Sequence, residues 1–561
     1  MKDEELIKLT KDWMKGWEQY QSKLQTKWTD NEDYYLGRNR VRSEGPKQET
    51  SKPNADNLIF ESLETFLPIA TRENPEPVVE ADNSELGNIL ANRVQQMLVY
   101  LTRQLDMKLT LKSVMRNWSL YFLGVMKVGW SSVNNEIAIA SIRPKKLILD
   151  KEASIVNGEY TGDFIGEIRK NRASELVRIF PKKKKQIEEA VGGKMGTEMN
   201  YTEWWTDEMV FWTYKDLVLD KKKNPHWNYD QTVTRIDDFG NPVEQTAKGK
   251  NHFPTPKKPY IFLSIFNLGK HPFDETNLVH QNLKMQDMIS KRLKQIDVNA
   301  DNTNGGAVVS GDYFTKEQAA KVGEAKRRGE TVWVPTGDIA RAYRQDIGPA
   351  LPAFVYESLR DYRVELKQNF GLAGSGGAVK QEKSVRGKLM AKQADTDRIS
   401  GGIVVYLEQM MEQTYGWMVQ MMHVYYDEPH AATIVGPNKA KEFITLSAQD
   451  FGPKLTIYVK EGSLLPKDPL TKYNQAIELW AQGALDPETL FTMLDFANPH
   501  DTAKKLFLWK TQPQALFPDI APPQPVMPQQ AVGPGRPQVP GGEPLTQRVN
   551  VGPVKMTPLT K

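Results

Sequence analysis

The sequence predicts an α+β protein that is mainly helical, and three observations carry this. Apolar residues recur every three or four positions over several long stretches, short alternating or β-branched runs fall between those stretches, and Pro and Gly clusters punctuate the joins. A length of 561 residues allows several domains and a large core.

Taken in order, residues 1–35 place Leu6, Leu9, Trp13, Trp17, Tyr20 and Leu24 on one amphipathic stripe. A second helix covers "NLIFESLETFLPIATRE" and stops near Pro68 or the Pro75/Pro77 pair. A third runs unbroken through "SELGNILANRVQQMLVYLTRQLDMKLTLKSVMRNWSLYFLG" to Gly124, read as its C-cap. "VMKVGWSS" and "EIAIASIRP" follow as a β-hairpin turned by "VNN". Between 150 and 270, "DEMVFWTYKDLVLD" and "PYIFLSIFNLG" read as strands around a polar, turn-rich stretch. "PKKKKQIEEAVG" reads as a solvated helix start and not as a nucleic-acid patch.

From Phe273 the periodicity sharpens. Met285, Ile289, Leu293 and Ile296 share one stripe, with Lys284, Lys291, Lys294 and Gln295 off it. Val355, Leu359, Tyr362, Leu366 and Phe370 form a second stripe in "PAFVYESLRDYRVELKQNF". The insert between them reads strand, short basic helix, strand, so two helices leave and return as a stalk with a small domain at its tip. A long helix over 384–426 then carries Leu389, Ile399, Ile403, Leu407, Met410 and Tyr415 in phase, with a kink expected at Gly401-Gly402. Strands in "EFITLSAQDFGPKLTIYVKEGSLLP" and short helices over 467–512 complete the ordered part, and the Pro-, Gly- and Gln-rich residues 513–561 are expected to be disordered.

Composition excludes much chemistry. With no cysteine there is no disulfide, thiolate nucleophile or zinc–thiolate site. The seven histidines form no HExxH. A net charge of +4 is too balanced to mark a nucleic-acid binder by bulk charge. No stretch approaches a membrane span and no signal peptide is recognised, so the expected location is the cytoplasm in which the chain is made. "NFGLAGSGGAVKQEKSVRGKL" imitates a phosphate loop, with Gly371 and Gly376 correctly spaced. However, Gly377 and Ala378 stand where Lys and Ser/Thr are required, and Lys383-Ser384 comes too late. Asp297, Asn299 and Asp301 have the spacing of a calcium loop. Asn302 replaces its glycine and Val308 its closing glutamate, so a polar helix end is the better reading. Asp237-Asp238 reads as a turn, and the Met-rich run within 408–426 as core or subunit packing.

The order of these elements, with "YFLGVMKVGW...IAIASIRPKKLILD", "HPFDETNLVHQNLKMQDMISKRLKQIDVNADN" and "SVRGKLMAKQADTDRISGGI", resembles the portal proteins of tailed bacteriophages over about residues 20–510. The resemblance implies a wing (1–272 and 386–466), a stem of two helices (273–302 and 353–370), a small α/β clip (303–352), a tunnel loop (371–385) and a helical crown (467–512). It further implies a dodecameric homo-oligomer at one capsid vertex of the virion, assembled in the host cytoplasm. Double-stranded DNA would pass through it without being read. The other implied partners are the terminase, the major capsid and scaffold proteins, and the head-completion and tail proteins. No cofactor and no catalytic residue is implied. Lys380, Lys383, Arg386 and Lys388 become expected DNA-channel residues, and Lys316, Lys321, Lys326, Arg327 and Arg328 expected docking residues of the clip. Met285, Ile289, Leu293, Ile296, Leu359, Tyr362 and Leu366 become expected ring-packing residues, on the premise that a lone helical pair cannot bury two apolar stripes. The rival readings are another structural virion protein, such as a head–tail adaptor or scaffold, and an enzyme, which would need a nucleotide loop or a carboxylate metal site.

Overall fold

Tryptophans and leucines one helical turn apart make the first segment a 33-residue helix, Asp3–Tyr35, with Leu6, Trp17, Leu24 and Trp28 buried along one side. In this computed structural model the described residues are 1–38, 56–81, 85–131, 134–226, 231–236, 242–247, 253, 255–303, 306–318, 321, 343–346, 350–372, 400–426, 430–435, 441–446, 455–460, 469–494, 496 and 499–511. The expected disordered tail and the expected clip strand in "TVWVP" lie outside them. The protein is α+β and mainly helical. The chain divides into two compact units, Met1–Thr471 and Lys472–Lys561.

In the first unit, helix Leu58–Ala70 runs two residues past Pro68. The single helix expected over 84–124 is two, Glu85–Gln104 and Met107–Tyr121. They break at Asp106, which adopts a left-handed conformation (φ 46°) that aspartate tolerates better than most residues. The second helix ends at Phe122, also left-handed (φ 64°) and fully buried. Gly124 is therefore not a C-cap but the first residue of a strand. A Cβ there would stand 2.7 Å from Val114 and 3.0 Å from Leu263, so glycine is required by close approach.

The expected hairpin forms as Gly124–Ser131 with Glu136–Ser141, and Tyr260–Leu263 pairs on the other side of the first strand. An antiparallel five-stranded sheet stands beside it in the order 217–223, 209–214, 198–206, 164–172, 147–149. Lys127, reaching from the smaller sheet, donates to Glu167 (2.7 Å) and Glu203 (2.6 Å) of the larger one. The Arg169 guanidinium lies 3.0 Å from Glu203, and the hydroxyl of Tyr260 donates to Glu167. These buried charges are mutually matched and join two sheets. Burial alone would raise the pKa of Glu167, but the Lys127 and Arg169 charges outweigh it and hold the carboxyl below its ordinary range.

Paired glycines weaken an α-helix, and the helix through 400–425 responds at that point: Ser400–Val404 is a π-turn leading into Val405–Tyr425. Met410, Met411, Met418, Met421 and Met422 are buried, so the methionine run is core of this unit. Strand Leu455–Val459 closes the unit by pairing with Pro77–Ala81. The basic run of 181–190 is a short helical start, Pro181–Lys183 then Lys184–Ala190, with only Ile187 buried. The second unit carries most of helix Pro469–Ala481, then Pro487–Met493 and Pro499–Thr511.

Candidate stalk and docking surface

Helix Leu278–Thr303 begins where "HPFDETN" is bolted to the body. The Asp274 carboxylate is buried and accepts from Trp118 Nε1 (2.6 Å), Ser264 Oγ (2.5 Å) and the Ile265 amide (2.9 Å). Burial, the largest influence, pushes its pKa above the ordinary aspartate value despite those donors. Asn277 accepts from the His280 amide (2.7 Å), capping the helix start. One turn on, the Asn282 carbonyl accepts from the Asn369 side chain (2.9 Å), tying this helix to its returning partner, Ala353–Asn369.

Gln286 makes the most specific link. Its amide donates to the Asp56 carbonyl (2.8 Å) and accepts from the Leu58 amide (3.1 Å), one of the N–H groups that the start of helix Leu58–Ala70 leaves unpaired. Arg363 reaches Asp56 (2.7 Å), Lys367 reaches Glu61 (2.8 Å), and Tyr34 donates to Asp287 (2.6 Å). The inward stripe sits among these contacts. Ile289 and Leu366 are wholly buried, Leu359 nearly so, and Met285, Leu293, Ile296 and Tyr362 are half-buried against the same core. This corrects the premise that led the stripe to be assigned to ring packing: the two helices and the body cover these side chains within one chain.

The outward face differs. Met288, Val298, Phe354 and Tyr356 are about half exposed, and the Arg292 guanidinium stands 6.0 Å from the Phe354 ring centroid. Beyond the helices, Gly306–Val309 and Tyr343–Asp346 pair antiparallel at the tip. Reciprocal Thr315–Gln318 bonds open a helical turn at Lys316. Lys316 and Lys321 are exposed, while Lys326, Arg327 and Arg328 lie outside the described residues.

The returning helix ends in a Schellman motif: Gly371 (φ 75°) donates to the Gln368 carbonyl (2.9 Å) and Leu372 to that of Lys367 (2.8 Å). The first glycine of the apparent phosphate loop is thus a helix terminator, with Leu372 buried after it. Lys380, Lys383, Arg386 and Lys388 lie outside the described residues.

Among the described residues, no group of three His, Cys, Asp or Glu is arranged to hold a metal ion, and no helix is long and apolar enough to cross a membrane. Helix Leu278–Thr303 runs straight through Asp297, Asn299 and Asp301, so they form no loop. An open cleft of about 380 Å³ between the 158–162 turn and helix Val405–Tyr425 is lined by Tyr160, Gln413 and Trp417. Its lysines are already paired, Lys257 with Glu159 and Lys258 with Asp207. No family model matches the chain, and no curated protein is similar to it in sequence.

Asn277, Asn282 and Gln286 escaped the sequence reading. For Asn282 and Gln286 the available signal was two polar residues one turn apart in the phase of the buried stripe, and for Asn277 its place just before the first periodic residue. The exposed Met288 and Val298 were legible in the same way, as apolar residues off it.

Proposed function

We propose that the chain is a portal-type ring subunit that conducts double-stranded DNA at one capsid vertex and docks the packaging motor and later the head-completion and tail proteins. One observation carries the reading. Two long helices leave a large mixed body, are joined by a small insert with a paired strand at each end, and return through a Schellman stop into a Gly-rich, basic segment followed by a π-turned helix. A two-helix stalk fixed to its body by matched polar contacts supports a rigid tube wall. Such a wall needs no reacting groups, because on this reading ATP hydrolysis belongs to the docked motor. Near-neutral net charge also suits passage of DNA, since each lasting phosphate contact adds salt-dependent affinity and hence friction. On this reading Lys380, Lys383, Arg386 and Lys388 meet the passing DNA. Lys316, Lys321, Lys326, Arg327 and Arg328 face the motor or adaptor at the clip.

Negative-stain microscopy of the purified full-length protein tests this. Rings with an axial hole wide enough for duplex DNA are expected, and particles without a hole would overturn it.

A further inference from the structure

The two stalk helices carry outward charges of opposite sign. On Leu278–Thr303, Lys284, Met288 and Lys291 follow one another at spacings of four and three, and all are exposed. On Ala353–Asn369, Glu357, Asp361 and Glu365 repeat every four residues, also exposed. None of these five charged side chains forms an ion pair among the described residues, although Arg363 and Lys367 on the same helix do. Ordinary helix solubility would mix the signs or place them at i, i+4 within one helix. Here each helix keeps mainly one sign on that face: Arg360 is the exception on the acidic helix, and on the basic one Asp287, half-buried between Lys284 and Lys291, is held by the Tyr34 hydroxyl.

The heights also correspond. The helices run antiparallel, with Asn282 against Asn369 near the base and Arg292 over Phe354 further out. Counting from the base at about 1.5 Å per residue, Lys284 and Glu365 differ in height by about 3 Å, and Lys291 and Glu357 by about 5 Å, within one helical turn. In a closed ring every copy stands at the same height. A face on one copy then meets a different face on the next at matched levels, as a heterologous interface requires.

We propose that the occupant of this surface is a second copy of the chain: Lys284 and Lys291 of one subunit lie against Glu365 and Glu357 of the next, with Met288 packed between them. The proposal rests on the ring reading and names the contact that closes the stalk.

The chain has no cysteine, so introduced thiols report cleanly. Full-length protein carrying Lys291→Cys and Glu357→Cys together is oxidised and run on a non-reducing denaturing gel. A ladder of multimers is expected from the double variant and none from either single variant. Monomer alone from the double variant, or dimers from one single variant, would overturn the proposal. Charge gives a second readout in native mass spectrometry. Lys284→Glu with Lys291→Glu should raise the concentration needed for assembly about tenfold, because exposed pairs are each worth only ~0.2–1 kcal/mol and two are reversed. Glu357→Lys with Glu365→Lys should do the same, and the fourfold swap should restore assembly. A wild-type chain that stays monomeric overturns the ring reading and this one together. Wild-type assembly that ignores all the reversals overturns this one alone.

Discussion

On the inward face of helix Leu278–Thr303, Asn282 and Gln286 each end on a defined partner and Ile289 touches no water. One residue away on the outward face, Met288 is half exposed, and Lys291 beyond it forms no ion pair among the described residues. The comparison teaches a division of labour. Buried polar groups are costly unless matched, so matched ones admit a single seating of the helix on the body. Exposed charges carry little stability within one chain and remain available for a partner.

Adjacent substitutions should separate the faces most sharply. Ile289→Asp removes a buried aliphatic side chain and leaves a carboxylate without a partner, an expected loss of about 4 kcal/mol or more. Met288→Asp should stay within about 0.5 kcal/mol. Denaturant unfolding of the two full-length variants, at concentrations below those at which the chain assembles, measures the difference in the protomer. Equal losses would mean that the outward face is also covered within the chain. For the same reason, failure of Ile289→Asp to assemble would report unfolding and not a ring contact.

Gln286→Leu sharpens the polar half of the comparison. The leucine fits the volume but strands the Leu58 amide and the Asp56 carbonyl, for an expected cost of about 1–3 kcal/mol. Lys291→Leu on the outward face should be close to neutral for the stability of the unassembled protomer. Hydrogen exchange at the start of helix Leu58–Ala70 should speed up only in Gln286→Leu. Unchanged exchange there would remove Gln286 from its assigned role.

The sequence made part of this legible. The 3.6-residue stripes located both stalk helices, and alternation located the 124–141 hairpin, because burial on one face imposes those periods. It did not reveal which surface a stripe is buried against, since Ile289 would show the same period whether its own chain or a neighbour covered it. Strands Phe164–Arg172 and Glu198–Thr206 escaped because Glu167 and Glu203 put charges where alternation expects apolar side chains. The facing Lys127, at least 40 residues away in sequence, makes those positions tolerable together with Arg169. The helix break at Asp106 carries no Gly or Pro to announce it. The residues expected to line a channel and the arginines expected at the outer clip fall outside the described residues, so that part of the candidate site rests on the sequence.

The smallest effect concerns Asp274 at the foot of the inward face. Its folded pKa is raised above the unfolded value, with burial as the leading cause. Its contribution to stability is therefore fully present below the unfolded value near 3.8 and is lost as pH rises through the folded value. An Asp274→Asn substitution retains the network: the new side-chain carbonyl accepts from Trp118 and Ile265, and the new amide donates to Ser264 Oγ. Asp274→Asn should accordingly lie within about 1 kcal/mol of wild type at pH 7, and wild type should lose ground to it as pH rises from 4 to 7. Asp274→Ala, which strands two buried N–H donors, should cost about 2 kcal/mol at pH 7. On the outward face, Glu357→Gln should shift protomer stability by no more than about 0.5 kcal/mol. Denaturant midpoints at three pH values check all four proteins. Parallel pH profiles for wild type and Asp274→Asn would show that the carboxylate is solvated in solution, and the foot of the stalk would then be held by packing and the asparagine contacts alone.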